Sequence, residues 1–224
     1  MASLKKTANC IGLTGNISII QDFFGYRTWT PVSGPRSLRT QMRLLQGKHI
    51  HLNLIQTASF DISQQKEIDY GLQVTRKIYA TVNVGVGRVQ RFSIPPGHEV
   101  IDGHDEAQDL WNKFSTPNDG IDVFLVRLIP GGVKGMSPEG GGSCDKDSKN
   151  NSGCVIDVED SLDGSGFTLG LVLAHEVGHY LGLGHEEKLY DNLMNPNIPN
   201  DGKLYGGQGG VMVLHCSVKG GCPT

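Results

Sequence analysis

The sequence predicts a mixed α/β or α+β domain, and three observations carry that prediction. Short alternating or continuously apolar runs take turns with segments of helical period along most of the chain. One late segment, Thr168 to Leu181, is apolar almost all round until its last turns, as a helix at the centre of a domain is. Glycine is abundant, 31 of 224 residues, about twice the usual ~7% and without a collagen period. That excess means many tight turns and long loops.

The first well-defined element is His49 to Ile55, HIHLNLI, whose Ile50, Leu52 and Leu54 fall on one face of a strand. Ser63 is then the expected N-terminus of a helix in which Ile68, Leu72, Ile78 and Tyr79 recur near helical spacing. Val82 to Ile94 alternates again as a second strand, and Asp105 to Phe114 follows as a helix. After the turn PNDG, Ile121 to Ile129 (IDVFLVRLI) has the pattern of a buried strand. Pro130 to Ser143 reads as loop with an edge strand around Val133 to Met136, and Val155 to Val158 as a short strand before the apolar helix. The order is strand, helix, strand, helix, three strands, helix. Before Lys48 the signals are weak: Ile17 to Phe24 suits a strand or a short helix. Residues 1–47 are therefore set apart as an N-terminal extension, for which a pro-segment remnant, an arm on the core and a linker all stay open.

Charge narrows the function classes. Lys and Arg number 20 against 23 Asp and Glu, net −3, with no basic run, so electrostatic capture of nucleic acid is not expected. The longest apolar stretch, around Leu169 to Ala174, is far short of the roughly 20 residues that span a bilayer. Five cysteines are present. Short polar intervals favour small loops closed by Cys144–Cys154 and Cys216–Cys222 with Cys10 left over, although five cysteines allow other pairings. A zinc knuckle is the rival reading, against which stands the lack of any CxxC. Disulfides imply export, whereas MASLKK is not followed by an apolar signal core. The expectation is a secreted protein whose signal lies outside this sequence, with an intracellular protein as the alternative.

The chemistry lies where the apolar helix ends, in HEVGHYLGLGH from His175 to His185. His175 and His179 are four apart, so their rings share one helix face and can grip one ion. Glu176 sits beside the first of them, within reach of a water on that ion. Gly182 can take positive φ and stop the helix, and His185 then approaches from a third direction. Three neutral nitrogens leave a tetrahedral position open, which separates a catalytic zinc site from a structural one. Five fixed positions match by accident on the order of 10⁻⁴ times per chain of this composition. Two histidines and a carboxylate left unpaired on the most apolar helix would also be costly to bury.

This motif resembles the long zinc signature HExxHxxGxxH of the metzincin metallopeptidases at every fixed position. Asp191 to Pro196 lies where that family has its methionine turn, with Met194 as the methionine. Glu186 after the third histidine is similar to astacins, whereas Met194-Asn195-Pro196 is closer to matrixins, which leaves the subfamily open. The resemblance implies a twisted, mostly parallel five-stranded sheet with an antiparallel edge strand, a central active-site helix and a small C-terminal subdomain. It implies division into residues 48–182 and 183–224. It also implies a zinc endopeptidase acting as a monomer on proteins or peptides. In it His175, His179 and His185 hold one Zn2+, Glu176 is general base and Met194 packs beneath the ligands. The edge strand, within Gly131 to Glu139, would bind substrate by strand addition.

Weaker signals accompany these. Tyr190 and Tyr205 are candidates to hold an oxyanion or line the pocket, against a plain packing role. Asp145, Lys146 and Asp147 with Asn150 and Asn151 suit either Ca2+ or a solvated loop. Cys10, in ANCIGL, is a candidate latency thiolate. His49, His51, His98, His104 and His215 lack ligand spacing and read as core or surface residues. Two rival functions remain beside the peptidase: a zinc hydrolase with a non-peptide substrate, and a binding or toxin module, to which an intact Glu176 would be of no use.

Overall fold

A computed structural model describes residues 47–138, 140–146 and 151–221. The expectations for 17–24 and for the rest of the extension up to residue 46, together with Cys10 and Cys222, fall outside the described residues. The elements are β1 (Lys48–Gln56), α1 (Ile62–Ala80), β2 (Val84–Ser93), α2 (His104–Phe114) and β3 (Ile121–Val126). After them come β4 (Gly135–Met136), β5 (Gly153–Asp157), α3 (Phe167–Tyr180) and α4 (Gly206–Met212).

The strands form one sheet in the order β2-β1-β3-β5-β4. β1 runs parallel to β2 and β3, and β3 parallel to β5, while β4 pairs antiparallel with β5 through Gly135 opposite Ile156 and Met136 opposite Val155. Alternation assigns the two faces. Ile50, Leu52, Leu54, Val123 and Leu125 turn toward one core with α1 and α3, whereas Ile55, Phe124, Val126 and Val155 turn toward the other with Leu110 and Trp111 of α2. With both faces covered, β3 is buried at every residue, as the central strand of a parallel sheet is.

α3 packs against both α1 and β5, which is why it is apolar almost all round. Two polar groups of α1 face α3: Thr75 Oγ1 lies 3.0 Å from the Gly71 carbonyl of its own helix and 3.1 Å from the Gly170 carbonyl, and the Tyr79 hydroxyl donates to the Ala174 carbonyl at 2.7 Å. Both buried hydroxyls are thereby satisfied.

The structure moves several expected boundaries. α1 is capped by Asp61 and not by Ser63: the Asp61 carboxylate accepts from Gln64 N–H and the Gln64 side chain accepts from Asp61 N–H, both at 2.9 Å. β3 stops at Val126, three residues early, because Ile129 N–H turns to the buried Asp157 carboxylate at 2.6 Å. α4 had no counterpart in the sequence reading, since GGQGGVM has poor helix propensity. It forms on a cap in which the Gln208 side chain accepts from Tyr205 N–H at 3.0 Å.

The cysteine pairing differs from both expected loops. Cys144 bonds to Cys216, 72 residues on, and Cys154 is a buried free thiol inside β5. Strand alternation explains the error: Cys154 points into the core beneath α3, away from the loop that carries Cys144. The calcium reading of the Asp145 loop gains no support, and Asp147 and Asn150 lie outside the described residues. Lys146 turns inward and its Nζ lies 2.9 Å from the fully buried Asp122 carboxylate. Among the described residues that loop has no cation-holding group of its own; the groups with ligating atoms close together are His175, His179 and His185, and Cys144, His215 and Cys216. No described helix is long and apolar enough to cross a membrane.

Candidate active site

α3 delivers the first two histidines and then ends abruptly. Gly182 takes φ of 91°, with its N–H donating to the His179 carbonyl at 2.9 Å and the Leu183 N–H to the Gly178 carbonyl at 3.0 Å. This pair of bonds is the Schellman arrangement, and only glycine enters it freely. The chain reverses there and brings His185 back over the helix end.

The three rings converge through one atom each. His179 Nε2 lies 3.0 Å from His175 Nε2 and 3.1 Å from His185 Nε2. The Nδ1 atoms of the first two point outward onto main-chain carbonyls, His175 to Leu193 and His179 to Leu183, both at 2.7 Å. A ring that gives its Nδ1 proton to a carbonyl presents Nε2 as a bare lone pair. Burial, reinforced by the neighbouring rings, lowers the His175 pKa to about 4, and burial lowers that of His179. Neutral lone pairs aimed at one another at this spacing repel unless a cation stands among them. The donor set therefore fits zinc, whose nitrogen ligands sit roughly 2 Å from the ion. Exposure grades across the triad, with His175 buried, His179 half-buried and His185 exposed, so the cluster opens toward solvent on one side.

Glu176 occupies the wall between α3 and β4. Its side chain is only 6% exposed, and burial raises its pKa to about 7, opposed by a hydrogen bond from Ser137. Gly135 makes room for it: a Cβ there would fall 2.6 Å from Glu176 Cγ. Ser137, just past β4, places its Oγ 2.7 Å from Glu176 Oε2 and 2.8 Å from the Glu176 main-chain oxygen.

The turn from Asp191 to Pro196 closes the site from below. Met194 is fully buried against Gly178, where a Cβ would come within 2.8 Å of its sulfur. The turn also fastens two ligand segments. Leu193 supplies the carbonyl for His175, and the Met194 carbonyl accepts from Glu186 N–H, next to His185, at 2.9 Å. Two buried asparagines shape it: Asn192 Oδ1 accepts from Met194 N–H at 2.8 Å, and Asn195 Nδ2 donates to the Glu186 carbonyl at 3.2 Å.

Residues 85–205, more than half of the chain, match the matrixin family of peptidases. The chain belongs to the matrixin family. Matrixins are metzincin-type zinc metallopeptidases, so the match decides the subfamily that the sequence reading left open. In fold, this matrixin is similar to metalloproteinase-II from Bacteroides fragilis, with a TM-score of 0.55 and 14% identity over 76% of this chain and 53% of that one. The chain thus spans about half the length of that protein. Archaemetzincin from Methanopyrus kandleri aligns with a TM-score of 0.45 and 20% identity, covering 66% of this chain and 81% of that one. No curated protein matches the sequence.

The two tyrosines of this matrixin sit differently from one another. Tyr205 precedes α4 and its hydroxyl is 3.2 and 3.3 Å from the two Asp191 carboxylate oxygens, which Lys203 also binds. Tyr190 is 78% exposed, five residues past His185. The remaining histidines stay apart from the triad: His49 and His51 are buried side by side on β1, His104 lies edge-on to Trp111 and His98 to Phe114. His215 lies beside the Cys144–Cys216 bridge, with Nε2 3.1 Å from the Gly142 carbonyl.

Ser137, Gly135 and the two asparagines escaped the sequence reading. Ser137 and Gly135 lay inside the stretch assigned to the edge strand, but only tertiary packing sets that strand against α3. The asparagines had a local signal, since Asn flanks the Leu-Met pair on both sides and is a turn former.

Proposed function

We propose that this matrixin is a zinc-dependent endopeptidase that hydrolyses peptide bonds in proteins or peptides. The observation that carries the reading is the convergence of three Nε2 lone pairs at 3.0–3.1 Å beside a buried carboxyl group. His175, His179 and His185 would hold the zinc. Zinc bound there supplies Lewis-acid polarisation of a peptide carbonyl and of a water.

Glu176 is the general base: it takes a proton from the attacking water and passes it to the departing amine. Met194 supports the ligand rings from beneath, through its contact with Gly178 and the Leu193 carbonyl on His175. β4 receives the substrate as an added strand, its outer edge being the free edge of the sheet beside Glu176. Tyr190, exposed five residues past His185, is the better of the two tyrosines for the pocket, because the Tyr205 hydroxyl already serves Asp191. The helix stop at Gly182 supports dividing the catalytic unit into 48–182 and 183–224. The Cys144–Cys216 bond supports an oxidising compartment and hence secretion.

The test is zinc content and cleavage of casein or gelatin, measured together for the wild type and Glu176→Ala. One zinc in both with cleavage by the wild type alone is the expected result. Failure of the wild type to take up zinc on reconstitution would overturn the reading of the triad.

A further inference from the structure

Among the described residues, the hydrogen-bond partner of the Glu176 carboxyl is Ser137, with Oγ 2.7 Å from Oε2 and 2.8 Å from the Glu176 main-chain oxygen. A hydroxyl has one proton to give, so it cannot serve both acceptors at once. The shorter contact is to the carboxyl, so the serine ties the side chain of Glu176, and not only the main chain of α3, to the segment just past β4. Gly135 completes the seat, because a side chain there would occupy the space of Glu176 Cγ.

We propose that Ser137 is a positioning residue for the base, holding the Glu176 carboxyl against β4. The proposal rests on the reading of Glu176 as general base. It gives the edge strand a second task, since the segment that would receive substrate also fixes the group that activates water. A serine that merely tied β4 to α3 would need only the bond to the main-chain oxygen, and its loss would show in stability.

The experiment compares Ser137→Ala and Ser137→Thr with the wild type, each loaded with zinc. Ser137→Ala should lower kcat about ten- to a hundredfold, the scale of a lost hydrogen bond to a charged group. KM, zinc content and thermal midpoint should stay near wild type, and Ser137→Thr should restore kcat to within about threefold, since the hydroxyl is retained. Unchanged kcat in Ser137→Ala, or a fall that follows zinc content or thermal midpoint, overturns the proposal. So does a fall that threonine does not repair. A second readout is independent of turnover. In protein labelled with carbon-13 at the glutamate carboxyls, the resonance missing from Glu176→Gln belongs to Glu176. Ser137→Ala should move that resonance and Ser137→Thr should return it. A wild type that cleaves nothing would defeat the peptidase reading, and the resonance would still judge Ser137: identical signals in wild type and Ser137→Ala refute it.

Discussion

Met194 and Gly178 touch so closely that no other residue fits between them: a Cβ on Gly178 would lie 2.8 Å from the Met194 sulfur. The glycine is one residue before His179, and the methionine one residue after the carbonyl that holds His175. Gly178→Ala should therefore displace Met194 or the helix. The expected cost is about 1–3 kcal/mol, typical of overpacking a filled core, together with weaker zinc retention. Urea denaturation and metal analysis after dialysis measure the two effects.

Gly135→Ala acts on the other wall. Its Cβ would meet Glu176 Cγ at 2.6 Å, and β4 is pinned to β5, so the carboxyl is the part that must move. Zinc content should stay at the wild-type level while kcat falls by about 10²-fold or more, the range in which a general base contributes. Full activity in Gly135→Ala would show that Glu176 works from a different position.

The raised pKa of Glu176 makes a stability prediction for the zinc-free protein. Folded Glu176 binds its proton up to about pH 7, against an ordinary value of 4.5. Below pH 4.5 both the folded and unfolded chains are protonated at this group and it costs nothing. Between pH 4.5 and 7 the unfolded chain releases the proton first, so this group lowers stability as pH rises. Glu176→Gln is free of the effect. It should match the wild type near pH 4.5 and exceed it by about 3 kcal/mol at pH 8, as read by urea melts at the two pH values.

Breaking the Cys144–Cys216 bond should cost about 3 kcal/mol, because its 72-residue separation restrains much of the unfolded chain. Peptide mapping without reductant should recover Cys144 joined to Cys216. Cys154 should resist thiol reagents until the protein unfolds, since burial holds its pKa well above that of an ordinary thiol.

Asp122 is fully buried at the end of β3 and accepts from Thr116 N–H at 3.0 Å, Thr116 Oγ1 at 2.6 Å and Asn53 Nδ2 at 2.7 Å, beside Lys146 Nζ at 2.9 Å. Removing one partner of a buried ion pair strands the other charge. Lys146→Met should destabilise the fold by about 2 kcal/mol, seen as an earlier urea midpoint with zinc binding intact.

What the sequence revealed, and what it hid, follows from the range of the interactions. The strand pattern of HIHLNLI and the apolar run before His175 are local signals, so periodicity alone recovered β1 and α3. The zinc motif is local as well, with three ligands within eleven residues. Ser137 and Cys144 depend on what lies 39 and 72 residues away, and nothing in their own surroundings names those partners. Polar spacing favoured Cys154 for Cys144, yet the pleat of β5 had already committed that thiol to the core. α4 hid for another reason: four of its seven residues are glycine, and a cap from Gln208 compensates for a sequence with little helical preference of its own.

The Cys144–Cys216 bond closes a covalent ring around residues 144–216, and everything assigned to the chemistry except the β4 segment lies inside it. His175, Glu176, His179, His185 and Met194 all belong to the ring. A peptidase is exposed to its own activity, and the segment from Glu187 to Tyr190 is solvent-accessible throughout. A single self-inflicted nick there would leave both pieces joined, with Met194 and its turn still tethered to the piece that carries the three histidines. Such damage would pass unnoticed on a gel run without reductant and appear as two bands once the bridge is opened.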